Sequence, residues 1–392
     1  MQTKRKQLRP YTLKTRNWII FGSVCGGVFA LLLIIGAFCD WQISWALAKP
    51  FLPVNTSGQY YTNNVYANFI EVMGVPILDF ILSSAMLVVF FNTLRIRNIN
   101  LRRLCGAITF CFAFCFAFIA FGSDLFHFLS EVIFGKKQKP TSSAKDLEYL
   151  LSIVFAACFM FAMVSAFHRV TAATMQLLMK WVYIVFVATF FGYFFIEIIK
   201  NQFPRMRFRA IIAFENGSER DLQSYFHQWY ELGYNPSNIH ILDNNPLFLV
   251  SGMRSSADQF KSFPSGHVSY SAVALSLCTL PMIVPKFNTW KYKLLWWAVP
   301  VLWVIMVIFG RVSAGAHYFS DGVIGALMSC TAVLIAYILL DACPYTKTLD
   351  RLLARSDDKT IICQTMIPLV LPLFFLILAF LMMHGTDWSK YL

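Results

Sequence analysis

"KSFPSGHVSYSAVALSLCTLPMIV", residues 261–284, begins with a Lys, three Ser and a His and then turns apolar to Val284. The apolar part approaches the roughly 20 residues needed to cross a bilayer. A polar mouth on such a run is costly unless its groups have partners or a task. Read as a membrane entry, the stretch assigns the fold, because the rest of the chain repeats the pattern. Nine candidate spans follow, at 18–38, 69–91, 104–122, 149–167, 181–199, 266–284, 294–312, 318–340 and 361–383.

Composition agrees. Of 392 residues, 58% are hydrophobic and 14% charged, against about 25% charged in a soluble domain. The runs are too long and too uniformly apolar for the alternating segments of about ten residues that build a membrane β-barrel. The expected fold is all-α, a polytopic transmembrane helical bundle of about nine spans. The first run, Trp18 to Phe38, follows Lys4, Arg5, Lys6, Arg9, Lys14 and Arg16. It is longer than a signal-peptide core and lacks a small-residue cleavage site, so it reads as a retained helix with a cytoplasmic N-terminus.

The formal charge of +13 fits the positive-inside rule better than polyanion binding, and no nucleic-acid partner is expected. The segments 1–17, 92–103, 168–180, 285–293 and 341–360, placed inside, hold 19 of the 33 Lys and Arg. Half of the remainder lies in the long outer loop 200–263. Nine crossings put the C-terminus outside. The ten Cys lie in or beside apolar runs with no CxxC, as expected of buried thiols rather than disulfides or metal ligands. The segment 135–145 reads as a solvated loop. The aromatics of 224–234 suit either an interfacial segment or a packed loop.

With this topology three clusters fall on the outer side. Lys200, Arg205, Arg207 and Arg209 end span five; Pro264 to His267 open span six; Arg311, His317 and Asp321 lie where span seven gives way to span eight. Lys and Arg bind phosphate, Arg through a fork of donors. Pro264 suits a first helical turn, Ser265 adds a hydroxyl donor, and Gly266 bares its N–H to an anion. His317 and Asp321 are four apart, which on a helix puts them on one face. A carboxylate bonded to one imidazole nitrogen leaves the other basic and aimed. His267 supplies a second imidazole to protonate a leaving oxygen. Alone, an i,i+4 His/Asp pair is a structural hydrogen bond as readily as a catalytic one. The conjunction in order, at span ends and on one face, favours chemistry.

This conjunction resembles the type 2 phosphatidic acid phosphatase (PAP2) superfamily, with its K-x6-R-P, P-S-G-H and S-R-x5-H-x3-D signature. Lys200 and Arg207 match K-x6-R, Pro264 to His267 match in full, and Arg311, His317 and Asp321 match the third element. Phe208 stands where the family has Pro and Gly310 where it has Ser. The Arg205–Arg209 form resembles a variant of some bacterial members. The resemblance implies a six-helix core at 104–340, including the outer loop 200–263. It leaves 1–103 as a segment with two extra helices and 341–392 as a cytoplasmic linker and a final helix. It further implies a phosphohistidine on His317, oriented by Asp321, with His267 as acid and then base. Lys200, Arg207, Ser265, Gly266 and Arg311 would hold the phosphate. No metal or cofactor is implied, and the spacing offers no zinc or two-metal ligand cluster.

Arg205 and Arg209 would either widen the cationic pocket for a diphosphate or meet headgroups. Glu197 would orient or neutralise Lys200. Asp79, after Pro76, would face a cavity or cap a broken helix. His127, His168, His227, His240 and His384 lack motif partners.

The expected protein is thus a lipid phosphate phosphatase of a bacterial plasma membrane, its site facing outward. Its partners are the bilayer and a lipid phosphate within it; no protein partner is indicated. A phosphotransferase using the same intermediate is the enzymatic alternative. A transporter or lipid-binding protein with a degenerate site is the non-enzymatic one, disfavoured because the sequence shows neither discontinuous helices nor inverted repeats and keeps every proposed catalytic side chain. A soluble haloperoxidase shares the residue pattern but not the spans.

Overall fold

Long apolar runs leave the backbone no partner in lipid except itself, so helices are the only open structure available to them. A computed structural model of the chain describes residues 15–52, 62, 64–125, 142–203, 205–212, 222–223, 226–231, 261–342, 346–355 and 357–370. The helices are α1 (Thr15–Ala48), α2 (Val65–Met73), α3 (Pro76–Thr93), α4 (Ile99–Ile119), α5 (Ser142–His168), α6 (Ala172–Gln202), α7 (Phe208–Ile212), α8 (Gly266–Ala272), α9 (Trp290–Ser313), α10 (Phe319–Tyr337) and α11 (Thr346–Ala354). Residues 358–370 are also helical. Among the described residues, β-pairing is confined to one isolated parallel bridge, Arg205 with Lys261.

Eight helical segments are long and apolar enough to span a membrane, from Gly22–Phe51 to Phe319–Leu340. The chain is therefore an all-α integral-membrane bundle. The first eight expected spans are present. Of the ninth, residues 371–383 lie outside the described residues, as do residues 135–141 and most of the loop 200–263.

Local sequence explains most boundaries. Asn98 caps α4 by accepting from the N–H groups of Asn100 and Leu101 at 3.0 and 3.1 Å, and Thr171 caps α6 from Thr174 N at 3.3 Å. Such caps satisfy N–H groups that have no partner within the helix. Contrary to the expectation of unbroken helices, the crossing 65–93 is split, α2 ending at Met73 and α3 restarting at Pro76. In span six, α8 gives way to a tighter 3-10 stretch, Val273–Thr279, before Leu280–Ile283. Asp79 lies in the first turn of α3, where a carboxylate meets the positive end of the dipole, while the cap residue is Val75 and no side chain caps the helix.

The main core packs α3, α4, α5, α6 and α10 around Met86, Val89, Met179, Val182, Ile184 and Val333. A second cluster joins α2, α8, α9 and α10 through Ile70, Val268, Val307, Ile308 and Val323. A third, nearer one end, sets Trp41 of α1 against Phe208, Ile211 and Tyr318.

The first helix differs from the expected boundary. The apolar run read to Phe38, but the helix continues to Ala48, because two of its polar residues, Asp40 and Ser44, are turned inward. Asp40, Ser44 and Ala48 recur every four residues and are buried, the spacing of one helical face. Val24, Val28, Leu31 and Phe38 are exposed, as residues facing lipid tails would be.

Candidate active site

The three clusters meet at one end of the bundle, stitched by main chain. Ser262 N donates to Arg205 O at 3.0 Å, Arg209 N to Gly315 O at 2.8 Å, and Ser265 N to Asp321 O at 3.0 Å. Gly315 turns with φ 63°, a conformation that disfavours a side chain. Ser265 caps α8, its Oγ accepting from Val268 N at 3.4 Å. Asp321 Oδ2 accepts from Tyr318 N at 2.9 Å at the start of α10.

His317 is buried, and its Nδ1 lies 2.5 Å from the carbonyl oxygen of Ser262. A carbonyl only accepts, so Nδ1 carries the proton and Nε2 keeps its lone pair. Asp321 does not hold the ring directly, as the i,i+4 reading expected. Its Oδ2 is 3.9 Å from Nδ1, beyond hydrogen-bond range. The reason is that α10 begins at Phe319, so His317 precedes the helix and the pair shares no helical face. Asp321 instead accepts from Ser262 Oγ at 2.5 Å, and Ser262 links carboxylate to imidazole through its own side chain and carbonyl.

Burial pushes the His317 imidazole well below the ordinary histidine range. The positive charges of Arg311, Arg207 and Lys200, and then His267, push it the same way. Those four groups therefore bear on His317, and its ring is neutral at physiological pH. His267, in the first turn of α8, is half-buried. It lies by the α2–α3 break, where a Cβ on Gly74 would sit 3.7 Å from His267 Cδ2.

The cations divide by surroundings. A Cβ on Gly266 would lie 2.9 Å from Lys200 Nζ, so the bare glycine admits an ammonium beside the start of α8. Arg207 and Arg311 are buried. Arg311 Nη1 is 3.1 Å from Glu71 Oε1. Arg209 is fixed through its main chain to Gly315.

Arg205 faces neither headgroups nor a widened pocket. Its Nη1 reaches Asp321 Oδ1 at 2.5 Å and Ser320 Oγ at 3.1 Å, its Nη2 reaches Asp40 Oδ2 at 3.0 Å, and its Nε donates to His227 O at 2.8 Å. The guanidinium lies 4.0 Å from the Tyr318 ring centre and 5.1 Å from that of Phe226. Burial opposes its charge, and Asp321 and Asp40 more than offset that.

The described part of the aromatic loop packs on the bundle. Phe226 meets Tyr318 at 5.0 Å, Trp229 stacks on Phe263 at 6.2 Å, and Gln228 Nε2 donates to Ala37 O at 2.9 Å. The side chain of Glu197, and His127, His240 and His384, lie outside the described residues. His168 is exposed, and His227 pairs with Glu231 at 3.3 Å.

Sequence reasoning missed Asp40, Glu71, Ser262 and Ser320. Two carried a usable signal, since a carboxylate within an apolar helix is a functional candidate by default. Glu71 lies inside the expected second span, and Asp40 is followed by the largely apolar "WQISWALA". The Ser262 carbonyl carries none, because every residue has a carbonyl.

Both departures from the signature are packing positions. Phe208 is fully buried, with Trp41 at 5.2 Å and Tyr318 at 6.3 Å. A Cβ on Gly310 would fall 2.5 Å from Ile70 Cβ, so the serine usual there has no room.

Among the described residues, no group of three or more His, Cys, Asp or Glu is arranged to hold a metal ion. The model of the PAP2 superfamily matches residues 181–345, which span α6 to α10. No curated protein and no solved structure matches the chain.

Proposed function

We propose that this chain, whose residues 181–345 belong to the PAP2 superfamily, is a metal-independent lipid phosphate phosphatase working through a phosphohistidine. Membership supports phosphatase-type activity on lipid phosphates in general terms. One observation carries the finer reading: a buried imidazole, its Nδ1 committed to a carbonyl at 2.5 Å, stands among Lys200, Arg207 and Arg311. That arrangement supplies a neutral nucleophile and charge to stabilise the phosphoryl oxygens as they pass through the transition state.

In this reading His317 Nε2 attacks phosphorus. The P–N bond forms as the bond to the lipid oxygen breaks. His267, holding a proton once the anionic phosphate is bound beside it, gives that proton to the leaving oxygen, releasing a lipid alcohol from a monophosphate or a lipid monophosphate from a diphosphate. His267 then takes a proton from water, and the resulting hydroxide displaces His317 and frees inorganic phosphate. Asp321 acts through Ser262, which fixes the His317 tautomer. Lys200, Arg207, Arg311, the Ser265 hydroxyl and the open Gly266 main chain bind the phosphate oxygens.

The substrate is phosphatidic acid, phosphatidylglycerol phosphate or an isoprenyl diphosphate, its tail remaining in the bilayer. The site faces the outer side of a bacterial plasma membrane, with the N-terminus in the cytoplasm.

The test is phosphate release from a panel of such lipids by purified protein in excess EDTA, beside His317→Ala. Release from at least one lipid is expected with EDTA present. His317→Ala is expected to bind substrate yet fall by about 10³-fold or more. Equal background in both proteins discards the reading, complete loss in EDTA points to a metal mechanism, and a phosphorylated acceptor in place of free phosphate points to a phosphotransferase.

A further inference from the structure

Asp40 belongs to α1, far from the matched residues 181–345, yet it is completely buried at the site end of the bundle. Its Oδ1 accepts from Ser320 N at 2.8 Å, and its Oδ2 accepts from Arg205 Nη2 at 3.0 Å and from the Ser320 hydroxyl. Gly36, one turn earlier, makes this reach possible. A Cβ there would lie 2.8 Å from Ser320 Cβ, so α1 is pressed directly onto the first turn of α10.

Two consequences follow from where those bonds land. Ser320 N is one of the first N–H groups of α10 and has no carbonyl within its own helix. Asp40 satisfies it from another helix and sets a negative charge at the positive end of the α10 dipole. That turn lies between His317 and Asp321 in the chain.

The second bond holds Arg205, which reaches Asp321 Oδ1 at 2.5 Å. Asp321 Oδ2 accepts from Ser262 Oγ at 2.5 Å, and the Ser262 carbonyl lies 2.5 Å from His317 Nδ1. An unbroken series of short contacts thus runs from α1 to the imidazole. Nε, Nη1 and Nη2 of Arg205 each have a partner. Turning Arg205 toward a phosphate would leave two buried carboxylates uncompensated, a strongly unfavourable change.

We infer that Asp40 is a positioning residue for phosphoryl transfer: it fixes the first turn of α10 and, through Arg205, Asp321 and Ser262, the orientation of His317. The inference rests on the phosphatase reading of the site. Asp40 touches no reacting atom. Its effect is geometric, and misplacement of a reacting group by about 1 Å can cost on the order of 10²-fold.

The test uses the full-length protein in lipid nanodiscs, with a radiolabelled lipid phosphate that the panel identifies as a substrate, in rapid-quench experiments. Burst amplitude counts competent sites, and burst rate reports the chemical step at each of them. Asp40→Asn keeps the volume but replaces one acceptor oxygen with a donor facing Arg205 or Ser320. The expected result is a burst rate per site lower by roughly 10- to 100-fold, with KM within about twofold of wild type. Arg205→Lys, which cannot span both carboxylates, is expected to slow the step comparably. The double variant should be far less impaired than the product of the two single effects.

A reduced amplitude with an unchanged rate per site would make Asp40 merely structural and overturn the inference. Full multiplicativity in the double variant would remove Arg205 from the path and overturn it as well. Absence of both burst and phosphate release in the wild type would remove the phosphatase reading itself. Where Asp40→Asn yields little folded protein, Asp40→Glu, which keeps the charge and moves the carboxylate by one methylene, is read by the same two quantities.

Discussion

Helices α6 to α10 and helices α1 to α2 meet at the same end of the bundle and bring opposite chemistry to it. The first group carries both imidazoles and the cations Lys200, Arg205, Arg207 and Arg311. The second brings two carboxylates, Asp40 against Arg205 at 3.0 Å and Glu71 against Arg311 at 3.1 Å. Several positive charges held together repel one another, and burial removes the water that would screen them. The N-terminal helices relieve that repulsion selectively. They hold Arg205 in a closed network through Asp40 and pair Arg311 with Glu71. Both departures from the signature also lie at this junction, with Phe208 packed on Trp41 of α1 and Gly310 on Ile70 of α2.

This division can be broken experimentally at three points. The largest effect is expected on the cationic side. Arg207→Ala should lower kcat for phosphate release by roughly 10²- to 10³-fold, the scale of losing one preorganised donor to developing charge. A change confined to KM would instead give Arg207 a role in uniform binding.

The packing junction comes next. Gly310→Ser restores the residue usual in the family but drives a Cβ to within 2.5 Å of Ile70 Cβ, and overpacking of this kind costs about 1–3 kcal/mol. The thermal midpoint should fall in the single variant. In an Ile70→Ala background the same serine should cost almost nothing, and an equal cost in both backgrounds would contradict the steric reading.

The smallest effect is expected at Glu71. Glu71→Gln removes the charge that competes with phosphate for Arg311, so inorganic phosphate should inhibit several-fold more strongly, about 1 kcal/mol at a partly exposed site. Unchanged or weaker inhibition would show that Glu71 supports Arg311 rather than competing for it.

Sequence reasoning reached the three clusters because each lies at the end of an apolar run and carries residues whose chemistry depends little on surroundings. His267 and Arg311 stand out by residue type at span ends, whereas Arg207 is singled out from its neighbouring cations only by the K-x6-R spacing of the family it resembles. The same reasoning placed the Asp321 carboxylate on the His317 ring, because i,i+4 spacing implies contact only if both residues are helical. The helix starts two residues after His317, where Asp321 accepts from Tyr318 N and Asp40 of α1 accepts from Ser320 N. Arg205 shows the same limit. In sequence it is one of four similar cations, and its distinct part arises from two carboxylates at positions 40 and 321.

The sequence by itself determined that this chain spans a membrane through helices and which imidazoles and cations gather at one end. Hydrophobic length and residue type act locally and can be read locally. Only the tertiary structure decided which cation is sequestered, which carbonyl meets His317 Nδ1, and that the first two helices bring carboxylates to Arg205 and Arg311. Those outcomes depend on contacts between residues far apart in the chain, whose energies change with the few tenths of an ångström that packing alone sets.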